Sequence, residues 1–244
     1  AIAAITDALQ KFQPFLLFGR TGSGKTEVYL RASESVVQNG GQVLVLVPEI
    51  GLTPMWLARL KQRFENVALW HSAMTAKERL VVRQHLDQTE ILIGTRSALF
   101  LPLPRLALIV VDEEHDASFK QQEGMSYSAR DMAVLLAQEL HLPIVLGSAT
   151  PSLESWRQVQ TSLYQRLDLP DRINPENMQT AAQVIDMRSV ESPVSDALLA
   201  ALRQTLADGD QSILFLDYGL EHAQTISDMI RYVPGSGIES MFSD

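Results

Sequence analysis

The sequence predicts an α/β fold, a mostly parallel doubly wound sheet with helices on both faces. Two observations lead to this prediction. Short β-branched apolar runs alternate with longer amphipathic stretches, which is the order of parallel strands joined by crossover helices. The apolar runs are also nearly continuous, without the polar alternation of a half-exposed strand, as expected for strands covered on both faces.

Six apolar runs are predicted strands and six amphipathic segments are predicted helices. The strands are expected at 15–18, 43–47, 90–93, 107–111, 144–146 and 213–216. The helices are expected at 25–38, 53–64, 75–86, 129–140, 151–158 and 195–206. Two helix starts carry their own signals. Thr75 and Glu78 have the spacing of a capping box, and Thr150 precedes Pro151 at an expected first helical position.

The segment 167–193 interrupts this alternation. It contains three prolines and a single short apolar run, which is typical of a linker. We therefore expect a first domain over residues 1–190 and the start of a second over 191–244. The second part is near the lower size limit of a domain, about 50 residues, and is expected to be incomplete.

Composition excludes several classes of protein. The 20 Lys and Arg against 29 Asp and Glu exclude a histone-like polycation but leave room for a small basic groove. The lack of Cys excludes disulfide frameworks, thiolate zinc sites and cysteine nucleophiles. No apolar run approaches the ~18 residues of a membrane helix, and no signal peptide is visible. These features predict a soluble cytoplasmic protein, and the start at Ala1 suggests a fragment.

A phosphate-binding loop is the strongest motif in the sequence. Residues 19–26, GRTGSGKT, match G-x-x-x-x-G-K-S/T between a predicted strand and a predicted helix. Glycines let backbone N–H groups converge on an anion, and the helix N-terminus adds further donors. Lys25 would reach the β- and γ-phosphates, and Thr26 would ligate Mg²⁺. The predicted nucleotide-binding residues are Gly19, Thr21, Gly22, Ser23, Gly24, Lys25 and Thr26.

An acidic tetrad follows the predicted strand 107–111. Asp112 is placed where a nucleotide-binding fold holds Mg²⁺, and Glu113 would orient and deprotonate the attacking water. Lys25 and Glu113 are thus the predicted catalytic residues. Glu114 is expected to be solvated. His115 is expected where a γ-phosphate sensor could contact a neighbouring lobe, and the alternative for it is a structural histidine. The alternative is a solvated charge cluster, which the phosphate-binding loop makes less attractive.

The tetrad DEEH, with GKT before it and GSAT at 147–150, resembles the motor core of superfamily 2 helicases. Further strings are similar to PriA-like replication restart helicases (primosomal protein N′): GSGKTEVY at 22–29, PEIGLT at 48–53, GTRSALF at 94–100 and KQQEG at 120–124. The similarity is close over 15–151 and looser to 216. It implies a RecA-like P-loop NTPase domain that uses ATP and Mg²⁺.

The resemblance also implies a function and partners. Members of this family couple ATP hydrolysis to 3′→5′ translocation on single-stranded DNA at stalled forks. The implied partners are single-stranded or forked DNA, the primosome and single-strand-binding proteins, with no membrane. Ser148 and Thr150, together with His115, would couple hydrolysis to movement of a second lobe.

By the same resemblance, the PEIGLT and GTRSALF strings would contact single-stranded DNA. Both follow predicted strands, so Thr53, Thr95 and Arg96 are expected at the carboxyl edge of the sheet, where ligands bind. Arg96, with the Ser97 hydroxyl beside it, suits phosphate contact better than base reading. The alternatives are a surface salt bridge for Arg96 and a plain helix N-cap for Thr53.

The segment 118–130 matches the aromatic-rich loop of the family, which links DNA contact to ATPase activity. Phe119 and Tyr127 offer stacking surfaces, and Lys120 and Arg130 offer charge for phosphates. Met125 stands where relatives usually carry an aromatic residue, so stacking is expected to be weaker. The alternative is a pair of core aromatics flanking a polar loop.

Three family features are missing from the sequence. The glutamine that reads adenine is not present, the second-lobe arginine finger is not present, and the expected zinc module has no Cys ligands here. We therefore expect this chain to bind Mg-ATP and hydrolyse it slowly. The alternative is a catalytically degenerate PriA-like module that binds forks or single-stranded DNA. A P-loop kinase is disfavoured, because neither GTRSALF nor GSAT serves a phosphoacceptor.

Overall fold

A computed structural model describes residues 1–48, 53–121, 124, 126–169, 185–188 and 194–210, with only the backbone of 53–55. The chain divides into two compact units, Ala1–Asn177 and Met178–Asp244. The domain boundary at 190 stays a prediction, and the predicted strand 213–216 lies outside the described residues. In the second unit, α7 (Asp196–Ala207) starts at Ser195, whose hydroxyl accepts a hydrogen bond from the Leu198 N–H.

A seven-stranded parallel sheet forms the first unit, as the fold class predicts. Its strands are β1 (Gln13–Gly19), β2 (Gln42–Leu46), β3 (Val67–Trp70), β4 (Ile91–Gly94), β5 (Leu106–Val111), β8 (Pro143–Ser148) and β9 (Gln165–Leu169). They lie in the order β3-β4-β2-β5-β8-β1-β9. A separate antiparallel ribbon pairs β6 (Lys120–Gln121) with β7 (Tyr127–Ser128).

Helices follow the predicted positions closely. In the first unit they are α1 (Ile2–Asp7), α2 (Lys25–Gln38), α3 (Thr53–Lys61), α4 (Ala76–Gln84), α5 (Ala129–Glu139) and α6 (Leu153–Gln160). Short 3₁₀ turns cover Arg96–Phe100 and Ala117–Phe119. The capping box of α4 is confirmed, since the Thr75 hydroxyl accepts from the Glu78 N–H and the Glu78 carboxylate accepts from the Thr75 N–H.

Within the described residues, no helix is long and apolar enough to cross a bilayer.

The core lies on both faces of the sheet. Phe15 and Leu17 of β1 join one cluster, with α1, α2 and α3, whereas Leu16 between them joins the other, with α5. Successive side chains of a strand point to opposite faces, so an uninterrupted apolar strand feeds two cores. This confirms the prediction of strands buried on both faces.

Two edge strands and one helix start differ from the sequence predictions. β9 extends into the predicted linker and pairs parallel with β1, with Leu167 as its one buried side chain. β3, at the opposite edge, was not predicted because most of its side chains are only half-buried. The N-cap of α6 is Ser152, which accepts from the Ser155 N–H, whereas Thr150 bonds elsewhere. The prediction that Thr150 caps this helix is wrong.

Candidate functional site

The phosphate-binding loop joins β1 to α2. Gly22 and Gly24 have φ angles of 80° and 91°, in the left-handed region that L side chains rarely adopt. Gly24 is also the N-cap of α2, so it brings the helix N-terminus to the loop without a side chain in the way. A Cβ at Gly19 would collide with the buried Ser23 hydroxyl. Within the described residues that hydroxyl has no hydrogen-bond partner, which suits a loop built to receive an anion.

Lys25 projects back over this loop from the first turn of α2. Its side chain is buried, and its Nζ donates a hydrogen bond of 3.0 Å to the Gly19 carbonyl. The same Nζ lies 3.8 Å from Oε1 of Glu113. The ammonium is thus held between the loop backbone and the acidic strand end, where it would meet a bound phosphate chain.

The sheet register explains why the loop and the acidic residues meet. Phe18 of β1 lies opposite Ser148 of β8, and Leu146 of β8 lies opposite Val111 of β5. Strands β1 and β5, which lie on either side of β8, therefore end at the same edge of the sheet. Parallel sheets bind ligands beyond the carboxyl ends of their strands, and this edge is such a position.

Asp112 and Glu113 occupy different environments at this edge. The Asp112 carboxylate accepts a 3.1 Å hydrogen bond from the Tyr29 hydroxyl, and burial, followed by the charge of Glu113, raises its pKa. Burial, followed by the charge of Asp112, raises the pKa of Tyr29 well above its usual value. Glu113 has a φ of 48°, which is uncommon for a residue with a side chain and often marks a functional position. Its carboxylate lies between Lys25 and His115, whose Nδ1 is 3.7 Å away.

A cavity of about 940 Å³ opens over these groups. Gly22, Lys25 and Thr26 line one side, with Asp112 and Glu113 beside them. Its volume is within the ~300–1,000 Å³ of small-molecule sites. The described residues contain no group of three or more His, Cys, Asp and Glu side chains that would hold a metal alone. Mg²⁺ usually takes few protein ligands and completes its shell with phosphates and water, and the Thr26 hydroxyl and the Asp112 carboxylate offer two oxygen ligands at this cavity. The residues that would hold it are Thr26 and Asp112.

A hydrogen-bonded link joins the acidic tetrad to the end of β8. Nδ1 of His115 lies 2.8 Å from Oγ of Ser148, and its Nε2 lies 3.3 Å from Oγ1 of Thr150. The Thr150 N–H also donates to the Ser148 hydroxyl. The three residues that resemblance assigned to coupling are thus in mutual contact, and Thr150 uses its hydroxyl here.

Glu114 is the main residue that sequence reasoning misjudged. Its side chain is fully buried and forms an ion pair of 3.2 Å with Arg130. Its carboxylate also accepts hydrogen bonds from the Ser152 N–H, the Ser152 hydroxyl and the Ser155 hydroxyl, at 2.8, 2.9 and 2.8 Å. The expectation of a solvated Glu114 is wrong. No local sequence pattern indicates this role, because its partners Arg130, Ser152 and Ser155 come from two distant segments.

Two residues expected to contact DNA are placed in the interior instead. Phe119 is 1% exposed and belongs to the core on the α5 face of the sheet. Arg130 is 7% exposed and is held by Glu114, Asp131 and Ser152. In this structure neither side chain is available to stack on a base or contact a phosphate. We therefore correct both expectations and give these residues structural roles.

The other proposed DNA contacts gather around the turn after β4. Thr95, Arg96 and Ser97 lie on this turn, and Nη1 of Arg96 donates a 3.0 Å hydrogen bond to the Lys120 carbonyl. The Lys120 side chain is exposed. Tyr127 packs edge-to-face against Phe100, with 5.4 Å between ring centroids. Phe100 is 57% exposed and was not singled out from the sequence.

Some residues predicted to contact DNA lie partly or wholly outside the described part of the chain. Thr53 begins α3, but its side chain is not among the described ones. Residues 49–52, which complete the PEIGLT string, and Met125 lie outside the described residues. Their roles stay predictions.

Comparisons with known proteins identify the family of this chain. Residues 2–159 match the DEAD/DEAH box helicase family. Replication restart protein PriA of Haemophilus influenzae is 46% identical over 213 residues, which are 84% of this chain and 29% of that protein. PriA of Bacillus subtilis is 41% identical over 211 residues, which are 83% of this chain and 26% of that protein. This chain therefore spans less than a third of the length of these relatives.

The fold is also similar to a solved structure. RecG bound to a three-way DNA junction aligns with a TM-score of 0.61 and 20% identity, over 91% of this chain and 28% of the RecG chain. At that identity the likeness extends to the fold alone. The mostly parallel sheet and its helices are those of a RecA-like helicase domain.

Proposed function

This chain belongs to the DEAD/DEAH box helicase family, and on that premise we propose that it is the ATP-hydrolysing motor domain of a replication restart helicase similar to PriA. The single observation that carries the proposal is the position of Lys25. Its Nζ lies 3.0 Å from the Gly19 carbonyl and 3.8 Å from Glu113, over a loop whose glycines leave backbone N–H groups free of side chains.

In the proposed reaction, Lys25 exchanges the Gly19 carbonyl for the β- and γ-phosphates of ATP. Mg²⁺ held by Thr26 and Asp112 would neutralise charge on the same phosphates. Glu113 would orient the attacking water and accept its proton, a role that suits a carboxylate only 3.8 Å from the lysine. The paired positions of Lys25 and Glu113 favour a hydrolase over a module that only binds nucleotide.

Single-stranded DNA is the proposed second ligand. Thr95, Arg96, Ser97, Lys120 and Tyr127 lie on the turn after β4 and on the ribbon tied to it by the bond between Arg96 and Lys120. Cations suit a phosphate backbone and an aromatic ring suits a base, without preference for sequence. We propose that this surface holds the strand along which the motor moves in the 3′→5′ direction.

The link through His115 would carry information from the ATP site to the end of β8. It joins Glu113, at the ATP site, to Ser148 and Thr150 at the end of β8. In the intact helicase these residues would transmit hydrolysis to a second motor lobe. The primosome and single-strand-binding proteins are the proposed protein partners, and stalled forks the proposed site of action.

Titration of a fluorescent ATP analogue tests the nucleotide site. Lys25→Ala should weaken binding about tenfold or more, since a charge-assisted hydrogen bond contributes ~1.5–3 kcal/mol. Lys11→Ala is the matched control. Lys11 lies just before β1, at the opposite end of this strand from the phosphate-binding loop, so the variant should bind the analogue like the unsubstituted chain. Equal affinity for both variants would overturn the proposal.

Turnover separates the motor from the degenerate module that binds DNA without hydrolysis. Phosphate release should be slow but measurable in the unsubstituted chain with single-stranded DNA present. Glu113→Gln should reduce it by about 10²–10⁴-fold while nucleotide affinity is retained. Turnover that is absent from both proteins, with nucleotide and DNA still bound, would favour the degenerate module.

A further inference from the structure

Tyr29 is a buried residue of the ATP site that no motif assigns a chemical role. It lies on α2, three residues after Thr26, and its side chain is 1% exposed. Its hydroxyl donates a 3.1 Å hydrogen bond to Oδ1 of Asp112. One helix thus supplies both Thr26 and a group that holds the second residue expected to bind Mg²⁺.

The Tyr29 side chain is confined on two sides. Its ring stacks on Trp56 of α3, with 5.9 Å between centroids and an interplanar angle of 20°. A Cβ at Gly147 of β8 would overlap the hydroxyl, so the hydroxyl lies directly against the backbone of β8. The stack on Trp56 and this close approach to Gly147 together define where the hydroxyl lies.

A fixed donor matters because the Asp112 carboxylate turns about two side-chain bonds, and its other hydrogen bond comes from the neighbouring Glu113 backbone. Residues that hydrogen-bond to a metal ligand orient it, and their loss typically lowers metal affinity by about 10–100-fold. We propose that Tyr29 is the positioning residue for Asp112, holding its carboxylate in the orientation that receives Mg²⁺. Trp56 and Gly147 serve the same purpose by fixing the ring and the hydroxyl. This inference rests on the proposed nucleotide site.

Tyr29→Phe is the test, because it removes the hydroxyl and keeps the ring and its stack on Trp56. Binding of a fluorescent ADP analogue is measured in EDTA and over a series of Mg²⁺ concentrations. In EDTA the variant should bind within about twofold of the unsubstituted chain. The Mg²⁺ concentration that gives half of the metal-dependent gain in affinity should rise about tenfold.

Tyr164→Phe is the matched control, since Tyr164 is partly buried and packs against the core on the opposite face of the sheet. It should leave the Mg²⁺ midpoint unchanged. Gly147→Ala is a second variant, which displaces the hydroxyl while residue 29 stays Tyr, and it should raise the midpoint as Tyr29→Phe does. Melting curves in EDTA show which variants are folded.

The outcomes separate the two proposals. An unchanged Mg²⁺ midpoint in folded Tyr29→Phe overturns the positioning role. An equal loss of affinity with and without Mg²⁺ also overturns it, because it indicates a structural role only. If the unsubstituted chain binds no nucleotide at all, the proposed function fails, and the positioning role fails with it.

Discussion

The carboxylate of Glu114 and the guanidinium of Arg130 form a buried ion pair, with 3.2 Å between Oε2 and Nη1. Ser152 and Ser155 donate to the remaining positions of the carboxylate, so no part of it lacks a partner. Buried pairs are stable only with such additional hydrogen bonds. The pair fixes the acidic tetrad to α5 and α6, and so holds Glu113 and His115 in register with the end of β8.

Glu114→Ala should strongly destabilise the fold. The substitution breaks the buried pair and leaves Arg130 with only the exposed carboxylates of Asp131 and Glu154; breaking a buried ion pair typically costs ~3–5 kcal/mol. Glu114→Gln keeps an acceptor for the serines and should cost less. Urea unfolding monitored by circular dichroism measures both, with Glu139→Ala, at the exposed end of α5, as the control. A loss under about 1 kcal/mol for Glu114→Ala would show that the network is not important for stability.

The sequence predicted that the residues of the proposed ATP site lie together, but it did not predict this network, for a physical reason. Lys25 and Thr26 open a helix directly after one contiguous loop whose glycine spacing dictates its shape, and Asp112 follows one apolar strand. Glu114 acquires its role only when residues 130, 152 and 155 are brought to it by two helices. A buried polar cluster assembled from distant segments leaves no periodic or spacing signal. Its members look like ordinary surface polar residues.

The strands show the same contrast between a strong local sequence signal and a weak one. β2 and β5 are central strands with continuous apolar sequences, which periodicity detects directly. β3 and β9 are the two edges, and β9 buries only Leu167 in the sequence QRLDL. Edge strands need few apolar residues, so sequence patterns identify them poorly.

His115→Ala should uncouple DNA from ATP hydrolysis. It removes the contacts of His115 with Ser148, Thr150 and Glu113, and it leaves Lys25 and Thr26, the residues expected to bind the phosphates and Mg²⁺, in place. Nucleotide affinity should be retained, whereas stimulation of turnover by single-stranded DNA should fall about fivefold or more, the scale of a coupling energy of ~1–3 kcal/mol. His141→Ala, an exposed histidine, is the control. Unchanged stimulation in His115→Ala would contradict the coupling role.

Arg96→Ala should weaken binding to single-stranded DNA by removing one phosphate contact. The plot of log affinity against log salt should become shallower by ~0.7, the value for one phosphate of a single strand. Lys120→Ala should have a similar effect, because Lys120 is exposed next to Arg96. Fluorescence anisotropy with an oligonucleotide over a range of salt concentrations measures the slope, with Lys11→Ala as control. A slope that both substitutions leave unchanged would place the DNA elsewhere.

The capping box of α4 should make stability depend on pH. Hydrogen bonds from the Thr75 N–H and then from its hydroxyl lower the pKa of the Glu78 carboxyl. A carboxyl whose pKa is lower in the folded state stabilises the fold above its unfolded pKa of about 4.3. That stabilisation is lost as the pH falls through the lower folded value.

Comparing Glu78→Gln with the unsubstituted chain isolates this effect, because the amide keeps the shape of the side chain and cannot ionise. The unsubstituted chain should have the higher melting temperature at pH 7, and the difference should shrink steadily as the pH is lowered toward 3. Glu65→Gln provides a control for general charge effects, since Glu65 caps no helix. A difference between Glu78→Gln and the unsubstituted chain that stays constant from pH 7 to 3 would mean that the ionised carboxylate is not what stabilises the helix start.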